Sequence, residues 1–236
     1  MTGEKKMLDN VNRIDSASDG LIFVPSEDLR VVRAQSLYER RLKRPFDIVL
    51  GSFFLLLSSP AFLGVAVAVR FGLGKSVLYS QQRIGVGGAP FTIYKFRTMR
   101  PDRRQSEVEL PDDTDRRNTH KDDNDPRHTG FGRLLRKLSL DELPQLINVL
   151  RGEMSLVGPR PELVGVAKQR GYLRHVRHEV RPGMTGPYQV SDLRYNGDLR
   201  DGLELDVEYV NSLTFGSDLR FLARTIIVML GASSGS

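Results

Sequence analysis

The sequence predicts an α+β protein that is mostly helical, and three stretches carry that prediction. Residues 48–69 form a run of 22 residues without a formal charge, interrupted near its middle by Ser59-Pro60. Residues 77–96 place two strand-like segments on either side of a glycine turn, which is typical of a β-hairpin. Residues 143–150 carry apolar side chains at helical spacing. A chain of 236 residues allows one substantial domain with an appendage.

The amino-acid composition excludes sites that need cysteine and indicates anionic partners, but it does not identify which anionic partner binds. The chain has no cysteine, so neither a disulfide framework nor a thiolate metal site is available. Its formal net charge is +6, and a basic balance suits nucleic acid, an acidic membrane surface or phosphorylated substrates. Residues 1–36 are polar and irregular, which predicts a flexible extension.

The uncharged run is long enough, at about 1.5 Å per residue, to cross a hydrocarbon core of about 30 Å. Pro60 removes the hydrogen bond to the Leu56 carbonyl and bends a helix there, while the hydroxyls of Ser58 and Ser59 can take up the freed group. Basic residues flank the run on both sides, which disfavours carrying either flank across a membrane. The residues alone therefore leave a spanning helix and a re-entrant helix both open.

The segment before this run is itself predicted to be helical and becomes strongly basic over residues 37–44. Asp47 lies beside that cluster, so we expect its carboxylate to be paired there and to have no catalytic role. Three regions follow from these patterns: the extension at 1–36, a basic segment with the apolar helix at 37–75, and a further domain at 76–236.

The hairpin and the segment after it are rich in polar side chains. Those of the hairpin are Gln82, Arg83, Lys95 and Arg97. Taken alone, they favour a solvated strand face. Residues 101–125 hold nine acidic against five basic side chains and almost nothing apolar. A solvated loop explains this composition better than a metal site does.

Two adjacent carboxylates, Asp141 and Glu142, lie where a helix is predicted to begin. Ser139 with Glu142 has the spacing of a capping box. A start at Asp141 is the alternative, since it places Pro144 in the first turn, where a missing N–H costs little. In either case a helix N-terminus favours ionised acids and bound phosphate. Gly152 is the expected end of this helix.

Further on, Arg160 lies between Pro159 and Pro161, whose fixed φ angles restrict the backbone on both sides of it. A guanidinium held in this way suits a pair of phosphate oxygens. Residues 162–179 are expected to form the next helix. By itself each of these patterns is more often structural: a helix cap, or a surface turn.

The combination is far more specific than any one segment. The order along the chain is YKFRTM at 94–99, SLDELPQLINVL at 139–150, RGEMSLVGPRPE at 151–162 and VRPGMTG at 180–186. Together these segments strongly resemble the bacterial sugar transferases, the polyprenyl-phosphate hexose-1-phosphate transferases of the small monotopic phosphoglycosyl transferase type. The resemblance runs from about residue 43 to about residue 230.

The resemblance implies an activity and assigns roles to residues. A sugar 1-phosphate passes from a nucleotide diphosphate sugar, such as a UDP-sugar, to polyprenyl (undecaprenyl) phosphate, as the first membrane step of exopolysaccharide or lipopolysaccharide assembly. Asp141 is the expected nucleophile, which forms an aspartyl-phosphosugar, and Glu142 is expected to hold Mg²⁺. The expected phosphate-binding residues are Lys95, Arg97, Arg136, Arg160, Arg181 and Arg194. At Arg194 the chain departs from the family pattern, because SDLRYN replaces the family's usual Gly-Arg-Asn turn and is one residue longer.

The resemblance also implies that the apolar run is a re-entrant helix broken at Ser59-Pro60, with the catalytic domain on the cytoplasmic face of the bacterial inner membrane. The expected partners are a nucleotide-sugar, polyprenyl phosphate and lipid of the cytoplasmic leaflet, but no nucleic acid, and a homodimer is allowed. An amphipathic helix over 218–230 can lie on the membrane or close the core. A membrane-tethered basic module would explain the charge but not the acidic pair. A nuclease-like metal enzyme would need a further carboxylate motif.

Overall fold

The computed structural model describes residues 35–100, 128–169, 171–191 and 199–231. The extension predicted at 1–36 lies almost wholly outside the described residues, and so do the loop predicted at 101–125 and Arg194.

The described chain is mostly helical, as predicted, and carries two small sheets, of which only the hairpin was predicted. Its helices are α1 (Lys43–Leu57), α2 (Ser59–Gly72), α3 (Gly130–Lys137), α4 (Gln145–Arg151), α5 (Val164–Gln169), α6 (Leu199–Asn211) and α7 (Phe215–Gly231). A π-helical turn, Tyr38–Leu42, leads into α1. The strands are β1 (Leu78–Ile84), β2 (Pro90–Phe96), β3 (Ser155–Val157) and β4 (Gly183–Thr185). Short 3₁₀ turns cover Val86–Gly88, Leu140–Glu142 and Val176–His178.

The apolar run forms two helices bent by 60°, with the break at Ser58. Pro60 lies in the first turn of α2, and the Ser59 hydroxyl donates to the Leu56 carbonyl at 2.7 Å, which is the acceptor that proline cannot use. The predicted break is therefore confirmed. Among the described residues, no single helix is long and apolar enough to cross a membrane, and only the bent pair taken together has the length and composition for it.

Two buried polar side chains fasten α1 to the rest of the fold. The Lys43 ammonium pairs with the Asp218 carboxylate of α7 at 2.6 Å. Asp47 accepts hydrogen bonds from the Ser155 hydroxyl at 2.9 Å and the Leu156 N–H at 3.0 Å. Burial raises the pKa of Asp47 and the charge of Lys43, from the basic cluster, lowers it. The expected direct ion pair is not formed among the described residues, because the Lys43 ammonium pairs with Asp218 and β3 supplies neutral donors to Asp47.

The predicted hairpin is confirmed. Strands β1 and β2 pair antiparallel with Leu78 opposite Phe96 and Ile84 opposite Pro90. Gly87 and Gly88 in the connection adopt φ values of 66° and 80°, which side chains rarely tolerate. This register places Arg83 and Lys95 on the same face of the hairpin.

Strands β3 and β4 pair in parallel and bring the segments around Arg160 and Arg181 together. Their backbones approach so closely that a Cβ at Gly158 would collide with the Arg181 carbonyl. A Cβ at Gly183 would collide in turn with the Gly158 backbone. The loop that carries Arg160 therefore packs backbone to backbone against the start of β4.

The main core lies under these strands and joins α1, β2, α4 and α6. It is built from apolar side chains that are almost completely buried, including Val149, Met154, Val157, Tyr209 and Val210. This packing fixes the hairpin relative to the segment that holds the two carboxylates.

The prediction of a capping box at Ser139 is wrong. Ser139 adopts the left-handed region at φ 54° and makes no side-chain cap, while its carbonyl accepts the Glu142 N–H at 3.2 Å. The carboxylates consequently lie in a 3₁₀ turn, and α4 begins only after Pro144. Gly152, at φ 82°, ends α4 as predicted.

The helix predicted over 162–179 is interrupted. It is realised as α5 and the 3₁₀ turn Val176–His178, and Gly171 adopts a φ of 70° between them. The helix predicted near the C-terminus is present as α7, which begins three residues earlier than expected.

Candidate active site

A small open cleft lies between the hairpin, the 3₁₀ turn Leu140–Glu142, the Arg160 loop and β4. Its lining residues are Arg83, Ile93, Lys95, Glu142, Gln145, Arg160, Pro161, Gly183, Met184 and Gln189. Three of these side chains are cations and one is an acid. The cleft therefore favours an anionic ligand.

Asp141 lies directly beside the lining residue Glu142 and is only 8% exposed. Burial, and then the neighbouring charge of Glu142, raise the pKa of Asp141 to about 6, against the opposing influence of Lys95 and Arg136. The carboxylate therefore stays mostly ionised at neutral pH, but it is a stronger base than a free aspartate. The position at a helix N-terminus that the sequence suggested is not what keeps it ionised, because the carboxylates precede α4.

Glu142 and Lys95 form an ion pair, with the Lys95 ammonium 2.6 Å from Glu142 Oε1. Lys95 reaches this position from β2, where it lies opposite Tyr79 of β1. Its charge also lowers the pKa of Asp141. One lysine thus influences both carboxylates.

Arg136 and Arg160 approach the carboxylates from two further elements. Arg136, near the end of α3, donates to the Thr98 hydroxyl at 3.1 Å and lowers the pKa of Asp141. Arg160 is exposed and lines the cleft, and its guanidinium lies 5.9 Å from the centre of the Tyr188 ring. The structure therefore brings Asp141, Glu142, Lys95, Arg136 and Arg160 to one region.

Other predicted residues lie elsewhere. Arg181 donates from Nε to the Gly152 carbonyl at 2.9 Å, at the C-terminal end of α4, and is not among the cleft-lining residues. Arg97 continues the hairpin ladder through its backbone N–H, which donates to Val77 at 2.9 Å, and it does not line the cleft either. Arg194 lies outside the described residues, and Ser59 and Pro60 mark the helix break.

Arg83 is a cleft residue that the sequence did not single out. It donates to the Pro161 carbonyl at 3.2 Å and to the Gln81 side chain at 2.7 Å. Burial, and then the charge of Arg160, lower the pKa of Arg83 to about 10. Arg83 lies opposite Phe91, and Lys95 is four residues after Phe91 on β2, so both side chains are on the same face of the hairpin. This shared face is the sequence signal that could have grouped them.

A model of the family described as bacterial sugar transferase matches residues 38–232. The chain belongs to this family. The match covers the bent helix pair, the hairpin, both carboxylates and α7, so it includes every element of the candidate site. The resemblance that the four sequence segments suggested is therefore confirmed.

Individual relatives agree with the family. The sugar transferase is 42% identical over 185 residues to the uncharacterized sugar transferase EpsL of Bacillus subtilis, covering 78% of this chain and 85% of the relative. It is 38% identical over 196 residues to the UDP-glucose:undecaprenyl-phosphate glucose-1-phosphate transferase of Escherichia coli, covering 79% of this chain and 40% of the relative. It is 39% identical over 219 residues to the undecaprenyl-phosphate galactose phosphotransferase of Salmonella typhimurium, covering 88% and 45%. The chain thus spans less than half the length of these two phosphotransferases.

The donor set of this sugar transferase fits a magnesium ion only in a limited way. Among the described residues, no group of three or more acidic, histidine or cysteine side chains is placed to hold a metal. Mg²⁺ is commonly bound by one or two carboxylates together with substrate phosphates. Glu142 and Asp141 supply such a pair, and Lys95 already neutralises one oxygen of Glu142.

Proposed function

We propose that this sugar transferase moves a sugar 1-phosphate from a nucleotide diphosphate sugar, a UDP-sugar, to undecaprenyl phosphate through a covalent intermediate on Asp141. The observation that carries the proposal is the buried Asp141 carboxylate, basic yet mostly ionised, at the edge of a cleft lined by Arg83, Lys95 and Arg160. The names of the two phosphotransferase relatives support the same reaction class.

In the first step, an Asp141 oxygen attacks the phosphorus that bears the sugar. The new bond joins that oxygen to phosphorus, and the bond from phosphorus to the bridging oxygen breaks, so that nucleoside monophosphate leaves with the electron pair. The negative charge on the phosphoryl oxygens is offset by Lys95 and Arg160, which are already in place before the substrate binds.

In the second step, a phosphate oxygen of undecaprenyl phosphate attacks the same phosphorus. The bond to Asp141 breaks, the carboxylate is restored, and the lipid leaves as a diphosphate sugar. No proton transfer is needed in either step, because the attacking and leaving groups are all anions. A carboxylate with a raised pKa suits this role, since it is more nucleophilic than a free aspartate and still ionised at neutral pH.

Magnesium fits this scheme as an ion held by Glu142 and shared with the substrate phosphates. When bound, it would neutralise charge on the diphosphate. The Lys95 ammonium lies 2.6 Å from Oε1 of the same Glu142 carboxylate.

The anchor is proposed to be re-entrant, with both of its ends on the cytoplasmic side of the inner membrane. The two helices are each too short to cross, and their outer surfaces expose large apolar side chains, including Val49, Leu56, Leu57, Leu63 and Phe71. The apolar face of α7, with Ile226 and Ile227 exposed, would rest on the same leaflet. This arrangement would place the cleft between a soluble nucleotide-sugar and a lipid substrate.

The test separates the two steps. Enzyme given UDP-sugar without undecaprenyl phosphate should release up to one equivalent of UMP, and peptide mass analysis should place the phosphosugar on Asp141. Asp141→Asn should fold normally but lose turnover by several orders of magnitude, because an amide is a poor nucleophile. Arg160→Lys, which keeps the charge but loses the planar fork, should slow turnover less. An adduct on another residue, or near-normal turnover in Asp141→Asn, would contradict the mechanism. A panel of UDP-sugars in the same assay identifies the sugar.

A further inference from the structure

Two arginine side chains donate hydrogen bonds to backbone carbonyls of the loop that carries Arg160. Arg177 donates from Nη2 to the Arg160 carbonyl at 2.6 Å. Arg83 donates from Nη1 to the next carbonyl, that of Pro161, at 3.2 Å. Two consecutive carbonyls on the Arg160 loop are therefore fixed by guanidinium groups from different parts of the chain.

Arg177 is only 4% exposed and does not line the cleft. Its Nη2 also pairs with the Asp206 carboxylate of α6 at 2.8 Å. Its Nη1 lies 3.8 Å from Glu162 Oε2, which also accepts the Tyr172 hydroxyl at 3.2 Å. The guanidinium thus ties the Arg160 loop to α6 through a buried ionic cluster, and it has no direct access to a ligand in the cleft.

The two prolines beside Arg160 do not supply this connection. They fix φ within the loop, but they do not fix how far the loop lies from the carboxylates. A buried charged cluster is costly to assemble as a stability device, and apolar residues of similar volume often stabilise a fold as well or better. A guanidinium that bonds the backbone of a cleft residue, and is itself held by two acids, is suited to setting the position of that residue.

We propose that Arg177 is a positioning residue: it holds the Arg160 guanidinium where the substrate phosphates bind. This inference rests on the proposed function, in which Arg160 binds those phosphates. Arg83 contributes to the same loop, but it also lines the cleft, so its substitution would mix positioning with direct binding. At Arg177, which does not line the cleft, positioning of the loop can be measured separately from direct ligand binding.

The test is a double-mutant cycle between Arg177 and Arg160 on the first half-reaction, UMP release from UDP-sugar. Arg177→Lys keeps the buried positive charge, but one ammonium cannot reproduce the planar set of contacts. Since a misplacement of about 1 Å can cost about a hundredfold in rate, we expect the second-order rate constant of UMP release to fall by about ten- to a hundredfold. In an Arg160→Ala background the same substitution should cause almost no further loss, because the group that it positions is gone.

Arg44→Lys is the matched control. Arg44 also holds two backbone carbonyls, those of Val149 and Leu150, at the far end of α4. Any loss that it causes should multiply with the loss from Arg160→Ala, as expected for independent sites. The same multiplication for Arg177→Lys would overturn the proposal and leave Arg177 a purely structural role.

Two further measurements keep the test decisive. If Arg177→Lys does not fold, Asp206→Asn replaces it, since this variant removes the charge that holds Arg177 but keeps a hydrogen-bond acceptor; it should again show no further loss beside Arg160→Ala. If wild-type enzyme releases no UMP, the proposed function fails, and the cycle is run on the Kd for UDP instead. Coupling in that Kd would retain the positioning role, and independent effects would reject it.

Discussion

Asn in place of Asp141 should make the protein more stable while it abolishes turnover. Burial raises the pKa of Asp141 from 3.8 to about 6, so folding favours its protonated form. This contribution to stability is fully present below the unfolded pKa and is lost as the pH rises through about 6. At neutral pH the ionised carboxylate therefore destabilises the folded protein, and an uncharged amide of the same shape removes that cost.

The size of the effect follows from the same shift. Each pKa unit corresponds to about 1.4 kcal/mol, so a rise from 3.8 to about 6 implies a gain of about 3 kcal/mol for Asp141→Asn at pH 7.5. For a chain of this length, that is a rise in Tm of roughly 6–12 °C. At pH 4 the wild-type group is already protonated in the folded state, and the gain should shrink to less than about 1 kcal/mol.

The assay is thermal unfolding of the detergent-solubilised protein at both pH values, with a chelator present to exclude metal. Asp218→Asn is the matched control, because it makes the same change at a completely buried aspartate that pairs with Lys43. Leaving the lysine without its counter-charge should cost about 3–5 kcal/mol. The two substitutions should thus shift Tm in opposite directions. A gain for Asp141→Asn that is absent at pH 7.5, or equal at both pH values, would refute the reasoning.

Three further predictions concern the anchor, the metal and the strand packing. Replacing both Ser59 and Pro60 by Leu should straighten the helix pair and favour a spanning helix. Single cysteines just outside the two ends of the pair should be labelled from the same side of the membrane in wild type and from opposite sides in the variant. Labelling from opposite sides in wild type would reject the re-entrant anchor. Glu142→Gln should raise the Mg²⁺ concentration needed for half-maximal UMP release, and an unchanged titration with full activity would remove Glu142 as a ligand. Gly158→Ala should lower Tm strongly because its Cβ meets backbone atoms, whereas Gly64→Ala, which meets nothing within 4 Å, should not; equal Tm values would contradict the described packing.

The sequence predicted those features that depend on local chemistry. Pro60 determines where the helix breaks, and Gly152 determines where α4 ends, whatever surrounds them. The capping box failed because Ser139 takes a left-handed conformation that the pattern of side chains does not encode. The helix predicted over 162–179 is interrupted for a similar reason, since Gly171 adopts a φ of 70° and turns the chain.

Residues whose roles depend on distant partners were the hardest to predict. Arg181 has a suitable neighbourhood in sequence, yet its guanidinium is taken up by the Gly152 carbonyl. Arg177 looks like one more surface cation in a basic stretch, and only the fold places Asp206 beside it. Asp141 and Arg160 stood out from their local sequence, but their expected roles came from the resemblance of four separate segments to one family, which is information that spacing alone does not contain.

The buried ion pair between Lys43 of α1 and Asp218 of α7 has a consequence for biosynthesis. Lys43 and Asp218 are 175 residues apart, and Asp47 depends on Ser155, 108 residues further along. Helix α1 therefore leaves the ribosome with an ammonium and a carboxylate whose partners have not yet been made. If α1 and α2 form the proposed anchor, both groups are costly to bring into hydrocarbon unpaired, and they would hold the first turns of α1 at the aqueous side while α2 follows. The first turns of α1 can complete their buried contacts only when α7 folds back onto them.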